Sequence, residues 1–151
     1  MLDSAHEDAL TGAFTRSYFF SQLRQNLHGN DRPVAYMQID MDNLKVLNDS
    51  HGHGAGDAAL VHLVKTLGTL MPQAIVGRLG GDEFGIAIAG QDNRAALIRL
   101  GDEVRRLEVE PVVQFRIRHA LLHAHQGGEM DDRVREGALE FIAANRGLLR
   151  S

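Results

Sequence analysis

The sequence predicts an α+β domain with a ferredoxin-like arrangement, in which an antiparallel central sheet carries helices on one side. Two observations predict this class. Short apolar runs rich in β-forming residues alternate with segments of helical spacing, and their order contains a βαββαβ string. The chain has 151 residues, of which 44% are hydrophobic, which suits one domain with a substantial core. We therefore expect residues 1–151 to form a single domain in which residues 1–8 are a short leader.

The first half of the chain predicts a helix, a strand and a second helix. Phe19 and Leu23 belong to a set of apolar residues with helical spacing. After Pro33, residues 34–40 form an apolar run that ends on an acid, as a buried strand does. A short helical segment follows, and apolar residues then recur at i, i+3, i+4 and i+7 over 60–70. This last segment is the clearest helix in the sequence.

The second half begins with a predicted β-hairpin. Its two apolar runs, 74–79 and 84–89, flank Gly80-Gly81-Asp82-Glu83, where the glycines suit a tight turn. The remaining predicted elements are a helix over 97–107, a strand over 112–122 and a helix over 134–142. In a ferredoxin-like sheet the strands 34–40 and 84–89 are adjacent and antiparallel, so the end of the first meets the start of the second.

This strand pairing predicts a cluster of acids at one end of the sheet. Asp40 and Asp42 lie at the end of the strand 34–40, and Asp82 and Glu83 immediately precede the strand 84–89. Carboxylates crowded in this way are unfavourable without a cation, and a hard oxygen-rich site without cysteine suits Mg²⁺ or Mn²⁺. An EF-hand is excluded, because the residues after Asp42 do not supply the oxygen ligands and glycine of a calcium loop.

Groups suited to a nucleotide follow the first strand. Lys45 is placed to contact a phosphate, whereas Asn48 and Asp57 offer donors and acceptors that match the edge of guanine. The glycines of residues 52–56 let backbone approach a ligand closely, although no Walker A sequence is present. Each of these residues alone is also compatible with an ordinary surface or helix-end position. The histidines lack the spacing and additional ligands of a transition-metal site.

Composition excludes several classes of function. Sixteen basic residues against 20 acidic ones give a net charge of −4, which argues against nucleic acid held by bulk electrostatics. No run of apolar residues is long enough to span a membrane, and the first residues lack the pattern of a secretory signal. The sequence contains no cysteine, so disulfides and thiolate zinc sites are excluded. We expect a cytoplasmic protein.

Four blocks in the correct order resemble the GGDEF family of bacterial diguanylate cyclases. They are Asp8-Ala9-Leu10-Thr11-Gly12, the run from Asp40 to Asp49, Gly52-His53-Gly54-Ala55-Gly56-Asp57, and the signature Gly80-Gly81-Asp82-Glu83-Phe84, which Arg78 precedes. The resemblance extends from Asp8 to about Ala89. It implies a fold like that of nucleotidyl cyclases and polymerase palms, and an enzyme that joins two GTP molecules into cyclic di-GMP and releases pyrophosphate.

The resemblance also assigns roles. It implies that Asp40, the Met41 carbonyl, Asp82 and Glu83 hold Mg²⁺ or Mn²⁺, that these acids and Lys45 form the catalytic set, and that Asn48 and Asp57 bind guanine. The other implied substrate contacts are the backbone of Asn43 and Leu44, Lys45, His53, Gly80, Gly81 and Arg146. Because each domain holds one GTP, catalysis would require a homodimer. The resemblance further implies an upstream sensory or receiver domain, with residues 1–8 as the end of its linker.

The last third departs from the family pattern. Strand residues 115–121 lack the Ser-x-Gly element. The place of a phosphate-holding lysine falls on Ala143 or Ala144, and Arg146 is the candidate substitute. Residues 71–74 also lack the inhibitory Arg-x-x-Asp motif, so product feedback through that motif is not expected. Two alternatives therefore stay open: a catalytically silent GTP-binding or interaction domain, and a related cyclase or polymerase-like enzyme with another nucleotide substrate.

Overall fold

A computed structural model describes residues 4–29, 33–90, 93–107 and 111–122 of the chain. Its elements, after a short 3-10 helix at Ser4–His6, are β1 (Phe14–Thr15), α1 (Arg16–Gly29), β2 (Val34–Asp42), α2 (Leu44–His51), α3 (Ala55–Leu70), β3 (Ile75–Arg78), β4 (Glu83–Ala89), α4 (Asn93–Arg105) and β5 (Gln114–Leu122). The predicted order of helices and strands is confirmed up to residue 122, except that the two-residue strand β1 ahead of α1 was not predicted. The predicted helix over 134–142 lies outside the described residues.

The five strands form one sheet in the order β1-β3-β4-β2-β5. The last four pair antiparallel, as the ferredoxin-like prediction requires, and β2 lies between β4 and β5. The prediction of a purely antiparallel sheet is wrong at one edge, because β1 pairs parallel with β3 and makes the sheet mixed. This strand has only two residues, too few for an alternating pattern to be visible in the sequence.

The helices cover both faces of the sheet, so the prediction of helices on one side is also wrong. Alternate residues of β2 point to opposite faces. Met37 and Ile39 belong to a core with α2, α3 and α4, whereas Val34 and Tyr36 belong to a second core with α1. The side chains that α1 contributes to the second core are Phe19, Phe20, Leu23 and Leu27. Because α1 precedes the βαββαβ string, the order of the string did not fix its face.

Phe19 packs α1 directly against the hairpin. The glycines Gly77 of β3 and Gly85 of β4 are paired across the ladder beneath its ring. A Cβ atom would lie 2.5 Å from Phe19 at Gly77 and 2.9 Å from it at Gly85, so neither position has room for a side chain. The close approach holds the hairpin, and with it the turn at 79–82, against the first helix.

Within the described ranges, none of the helices combines the length and the apolar character that crossing a bilayer requires.

Candidate functional site

Three carboxylates meet where β2 ends and β4 begins. Asp40 lies directly opposite Glu83 in the antiparallel ladder, and Asp82 is the preceding residue of the turn. One carboxylate oxygen from each of these three residues lies within 4.8 Å of the others. The backbone N–H of Met41 donates a 2.9 Å hydrogen bond to the Asp82 carbonyl, which ties the turn to the end of β2. The predicted proximity of Asp40 to Asp82 and Glu83 is confirmed.

Burial and mutual repulsion make the carboxylates of the cluster costly to ionise together. Burial raises the pKa of Asp40 to about 6, and the neighbouring charges of Glu83 and Asp82 act in the same direction. A carboxylate that is costly to ionise in the free protein gains from a positive ion placed between it and its neighbours. Three carboxylates offering hard oxygen ligands at this spacing fit Mg²⁺ or Mn²⁺, which complete their coordination with water and phosphate oxygens.

A chain of buried polar groups supports Asp40 from within the sheet. Tyr36 donates its hydroxyl to Gln38 Oε1, and Gln38 Nε2 donates to Asp40 Oδ2, each at 3.4 Å. Gln38 is 1% exposed and Tyr36 is fully buried, and burial raises the pKa of the Tyr36 hydroxyl. These two hydrogen bonds orient the Asp40 side chain on the sheet face that carries α1. The signal that sequence reasoning missed was Gln38, a polar residue within an otherwise apolar strand.

Asp42 is not part of the cluster, contrary to the sequence prediction. Its carboxylate pairs with Arg116 of β5, whose Nε contacts Oδ2 while Nη2 donates to Oδ1 at 2.8 Å. The hydrogen bond to Asp42 raises the pKa of Arg116. The pairing follows from the β2–β5 register, in which Arg116 lies opposite Asp40. Asp42 is two residues farther along β2 and on the same face, so it is a diagonal neighbour of Arg116.

The start of α2 lies immediately beyond the carboxylates. Asn43 precedes the helix in the left-handed conformation, with φ of 68°, and its side-chain amide donates a 2.9 Å hydrogen bond to the Val112 carbonyl ahead of β5. Leu44 and Lys45 form the first turn, where Lys45 is exposed. Free backbone N–H groups at a helix start favour anions, so this turn and the Lys45 ammonium suit a phosphate beside the acidic cluster.

Asn48 and Asp57 are brought together by the link between α2 and α3. Asn48 Oδ1 accepts a 2.6 Å hydrogen bond from the backbone N–H of Gly56, the residue before Asp57. A Cβ atom at Gly56 would lie 2.9 Å from that oxygen, so the contact depends on glycine. The link leaves α2 through Gly52, which has φ of 100°, and His53 and Asp57 are exposed. The contact therefore places the Asn48 side chain against the first turn of α3, which carries Asp57.

The signature turn is clamped by residues to which sequence reasoning gave no role. Arg78 donates through Nε and Nη2 to the Gly81 carbonyl, at 3.3 and 2.8 Å, and through Nη1 to Asp8 at 3.1 Å. Asp8 also accepts from the backbone and hydroxyl of Thr11, at 2.9 and 2.7 Å. These hydrogen bonds lower the pKa of Asp8 against the opposing effect of its burial. Their only signal in the sequence was the matching family block.

A cleft of about 330 Å³ opens beside this clamp. It is lined by Asp8, Thr15, Arg16, Arg78, Leu79, Gly80 and Gly81. Neither Gly80 nor Gly81 has a positive φ, and a Cβ atom would meet nothing closer than 3.5 Å at Gly80 and nothing within 4 Å at Gly81. The turn suits glycine but does not itself require it; the space above Gly81 is open, whereas a Cβ at Gly80 would contact the Glu83 side chain.

The remaining predicted substrate residue, Arg146, lies outside the described residues. His119, expected as a strand residue, lies in β5 with Nε2 3.3 Å from the Leu97 carbonyl.

The fold defines an α+β domain of the palm-like type, and comparison with known proteins identifies the family. Residues 5–123 match the family model "Diguanylate cyclase, GGDEF domain". The chain belongs to the GGDEF family.

Individual relatives agree with this assignment. The chain is 35% identical over 108 residues to the probable diguanylate cyclase DgcT of Escherichia coli K12, a match that covers 68% of this chain and 24% of DgcT. Among solved structures it is similar to the isolated GGDEF domain of TpbB, also called YfiN, from Pseudomonas aeruginosa PAO1. That structure has 25% identity and a TM-score of 0.71, with 94% of this chain and 90% of the other covered.

The fold alone is shared with the GGDEF domain of DgcB from Caulobacter crescentus, solved in complex with c-di-GMP. That comparison gives 21% identity and a TM-score of 0.72 over 97% of this chain and 90% of the other. The chain spans a quarter to a half of the length of the first curated relatives that it matches.

Proposed function

We propose that this chain is a Mg²⁺- or Mn²⁺-dependent diguanylate cyclase domain, which condenses two GTP molecules into cyclic di-GMP and releases pyrophosphate. The observation that carries the proposal is the convergence of Asp40, Asp82 and Glu83 at the end of β2, directly beside the start of α2. An acidic cluster next to free helix N–H groups provides ligands for metal and for phosphate in one place.

The residues divide into three groups. Asp40, Asp82, Glu83 and the Met41 carbonyl would hold the metal, which when bound neutralises triphosphate charge and favours ionisation of a ribose 3′-hydroxyl. Lys45, the backbone of Asn43 and Leu44, and the turn at Gly80 and Gly81 would position the phosphates. The guanine would lie against the Asn48 amide, Asp57 and the exposed His53.

The reaction needs two copies of the site. Each GTP must offer its 3′-hydroxyl to the α-phosphate of the other, in line with the departing pyrophosphate. One domain presents one acidic cluster among its described residues, so we propose that a homodimer brings two substrates face to face. An upstream sensory or receiver domain would control that encounter.

The test is incubation of the purified chain with GTP and Mg²⁺, followed by mass spectrometry of the nucleotides. We expect cyclic di-GMP, formed at a rate that rises with the square of protein concentration while the dimer is scarce, and no product from Asp82→Asn. Bound GTP with no product at high protein concentration would instead support a silent GTP-binding domain, for which the altered sequence at 115–121 is the motivating observation. Adenine in the product when ATP competes with GTP would contradict the guanine assignment.

A further inference from the structure

Two arginines of β5 lie on the same sheet face as the acidic cluster. In the antiparallel β2–β5 ladder, Arg116 is directly opposite Asp40 and Arg118 is directly opposite Gln38. Residues paired across a ladder point to the same face of the sheet. Farther along the same two strands, Tyr36 and Ala120 are likewise paired and pack in one core, which confirms the alternation. Both guanidinium groups therefore emerge on the Asp40 side.

The two arginines differ in their partners. Arg116 is committed to Asp42, which accepts from both Nε and Nη2. Arg118 has no hydrogen bond or ion pair within the described part of the chain, and its Nε atom is enclosed by protein without an acceptor. A guanidinium offers five donors and keeps its charge in proteins, so a shielded donor without an acceptor is unfavourable. Among the described residues, Arg116 therefore has a carboxylate as its hydrogen-bond partner, whereas the Nε atom of Arg118 has no acceptor.

The β2–β5 register places Arg118 one same-face residue pair along the strands from Asp40. Burial lowers the pKa of Arg118 and the charge of Arg116 adds to that effect, whereas Asp40 acts in the opposite direction. The Asp40 carboxylate is itself engaged by Gln38 and shares its surroundings with Asp82 and Glu83. A metal held by those acids would repel a nearby guanidinium unless an anion lay between them, and a polyphosphate bound to the metal is such an anion.

We propose that Arg118 is a phosphate-binding residue of this chain, donating its guanidinium to the polyphosphate of a nucleotide whose metal lies at Asp40, Asp82 and Glu83. The inference rests on the proposed function and adds a contact from β5 to those assigned to α2 and the signature turn. Lys45 would approach the phosphates from the start of α2, and Arg118 would approach them from strand β5. Together they would place the polyphosphate between two cations.

The test compares Arg118→Met with Arg118→Lys in the full 151-residue chain. The matched control is Arg94→Met, which removes an exposed arginine from α4, on the opposite side of the sheet. Calorimetry measures the Kd of GTP, of inorganic tripolyphosphate and of guanosine, each with Mg²⁺, and thermal unfolding checks that every variant folds. Inorganic tripolyphosphate reports on the phosphate contact without any contribution from the base.

We expect Arg118→Met to weaken GTP and tripolyphosphate binding by at least about tenfold, the scale of a hydrogen bond to a charged group, and to leave guanosine binding unchanged. Arg118→Lys should weaken binding of GTP and tripolyphosphate less, because lysine keeps the positive charge but lacks the paired N–H donors of the guanidinium. Arg94→Met should bind all three as the wild type does.

Other outcomes separate the two proposals. Unchanged Mg²⁺-dependent GTP binding by folded Arg118→Met would overturn the role of Arg118 and leave the proposed function intact. Tighter Mg²⁺ or GTP binding by that variant would also overturn it, since Arg118 would then be acting as an internal cation in competition with the metal. Arg118-dependent tripolyphosphate binding without GTP binding would support Arg118 and contradict the proposed function. Absence of both would overturn both.

Discussion

Asp40 and Glu83 are directly opposite each other in the β2–β4 ladder, where β2 ends and β4 begins. The Asp82 carboxylate lies beside both. Like charges facing each other across a ladder are unfavourable, and here they are partly shielded from water. The fold therefore holds its acids in an arrangement that costs stability in the absence of a cation. A cation bound between these acids would relieve that repulsion.

Asp40→Asn is expected to separate stability from binding. At pH 8 with chelator, the neutral amide relieves the repulsion and still accepts the hydrogen bond from Gln38, so the melting temperature should rise by about 2–4 °C for each kcal/mol gained. Mg²⁺-dependent GTP binding should be lost. Differential scanning calorimetry and titration with GTP measure the two effects.

Asp49→Asn is the control, since Asp49 is an exposed acid of α2 outside the cluster. It should change neither the melting temperature nor nucleotide binding. A lower melting temperature for Asp40→Asn in chelator, or intact Mg²⁺-dependent binding, would mean that the three carboxylates do not form the proposed site.

The clamp on the signature turn predicts energetic coupling between Asp8 and Arg78. Both side chains are about four-fifths buried, and Arg78 also holds the Gly81 carbonyl. In a double-mutant cycle with Asp8→Asn and Arg78→Met, urea unfolding should give a coupling energy of about 1 kcal/mol. Arg78→Met alone should also slow cyclic di-GMP formation, because the turn that carries Asp82 loses its tether.

The exposed pair formed by Arg106 and Glu103 of the chain is the comparison, with side chains 69% and 52% exposed. Its coupling energy should be smaller, since water screens it. Equal coupling in the two pairs, or additive effects at Asp8 and Arg78, would show that the clamp adds nothing to ordinary surface pairing.

The sequence was sufficient for the features that depend on element order. Alternation of strands and helices predicted that β2 and β4 are neighbours, and the meeting of Asp40 with Glu83 followed from antiparallel pairing. The sequence was insufficient where a contact depends on the pairing register of a strand that is far away in the chain. The sequence predicts Asp42 and Asp40 as members of one acidic cluster. The register of β5 instead places Arg116 beside Asp42, and the two side chains pair. Asn43 likewise donates its side-chain amide to the carbonyl of Val112, a residue equally distant in the sequence.

The face on which α1 packs illustrates the same limit. Its apolar spacing predicted a helix, but a helix outside the βαββαβ string can cover either face. The feature that decides is the pair of glycines at positions 77 and 85, which makes room for Phe19 on one face only. Each glycine by itself is unremarkable in a strand sequence, and their pairing across the ladder is known only from the structure.

Gly56→Ala is expected to damage the proposed guanine site. The new Cβ would lie 2.9 Å from Asn48 Oδ1, so the Asn48 side chain must move and lose its hydrogen bond to the backbone of residue 56. We expect a loss of about 1 kcal/mol in stability and at least tenfold weaker GTP binding, on the scale of about one hydrogen bond for each effect. Urea unfolding and calorimetry provide the two measurements.

The same substitution at Gly68, farther along α3, serves as the matched control. Gly68 is exposed and a Cβ there would meet nothing within 4 Å. Gly68→Ala should therefore stabilise the helix by about 0.5–1 kcal/mol and leave GTP binding unchanged. If the two variants behaved alike, the contact between Asn48 and Gly56 would have no part in nucleotide binding.

His119 predicts a loss of stability in mild acid. Burial lowers the pKa of its ring below the usual 6.5, and Arg105 and Arg94 act in the same direction against the Leu97 carbonyl and Asp102. The unfolded chain then takes up a proton more readily than the folded one. The stability contributed by neutral His119 is present above pH 6.5 and is lost as the pH falls from there towards the folded-state pKa.

The measurement is the free energy of unfolding of the wild type and of His119→Gln from pH 8 to pH 5. The difference between the two isolates His119, because Asp40, whose pKa is raised, gives both proteins the same opposing trend at lower pH. We expect the wild type to lose stability relative to His119→Gln below pH 6.5. His62→Gln, at an exposed position of α3, should track the wild type throughout. A difference that stays constant with pH would mean that His119 takes up its proton equally well in the folded and unfolded chains, and that its contact with Leu97 offsets the cost of burial.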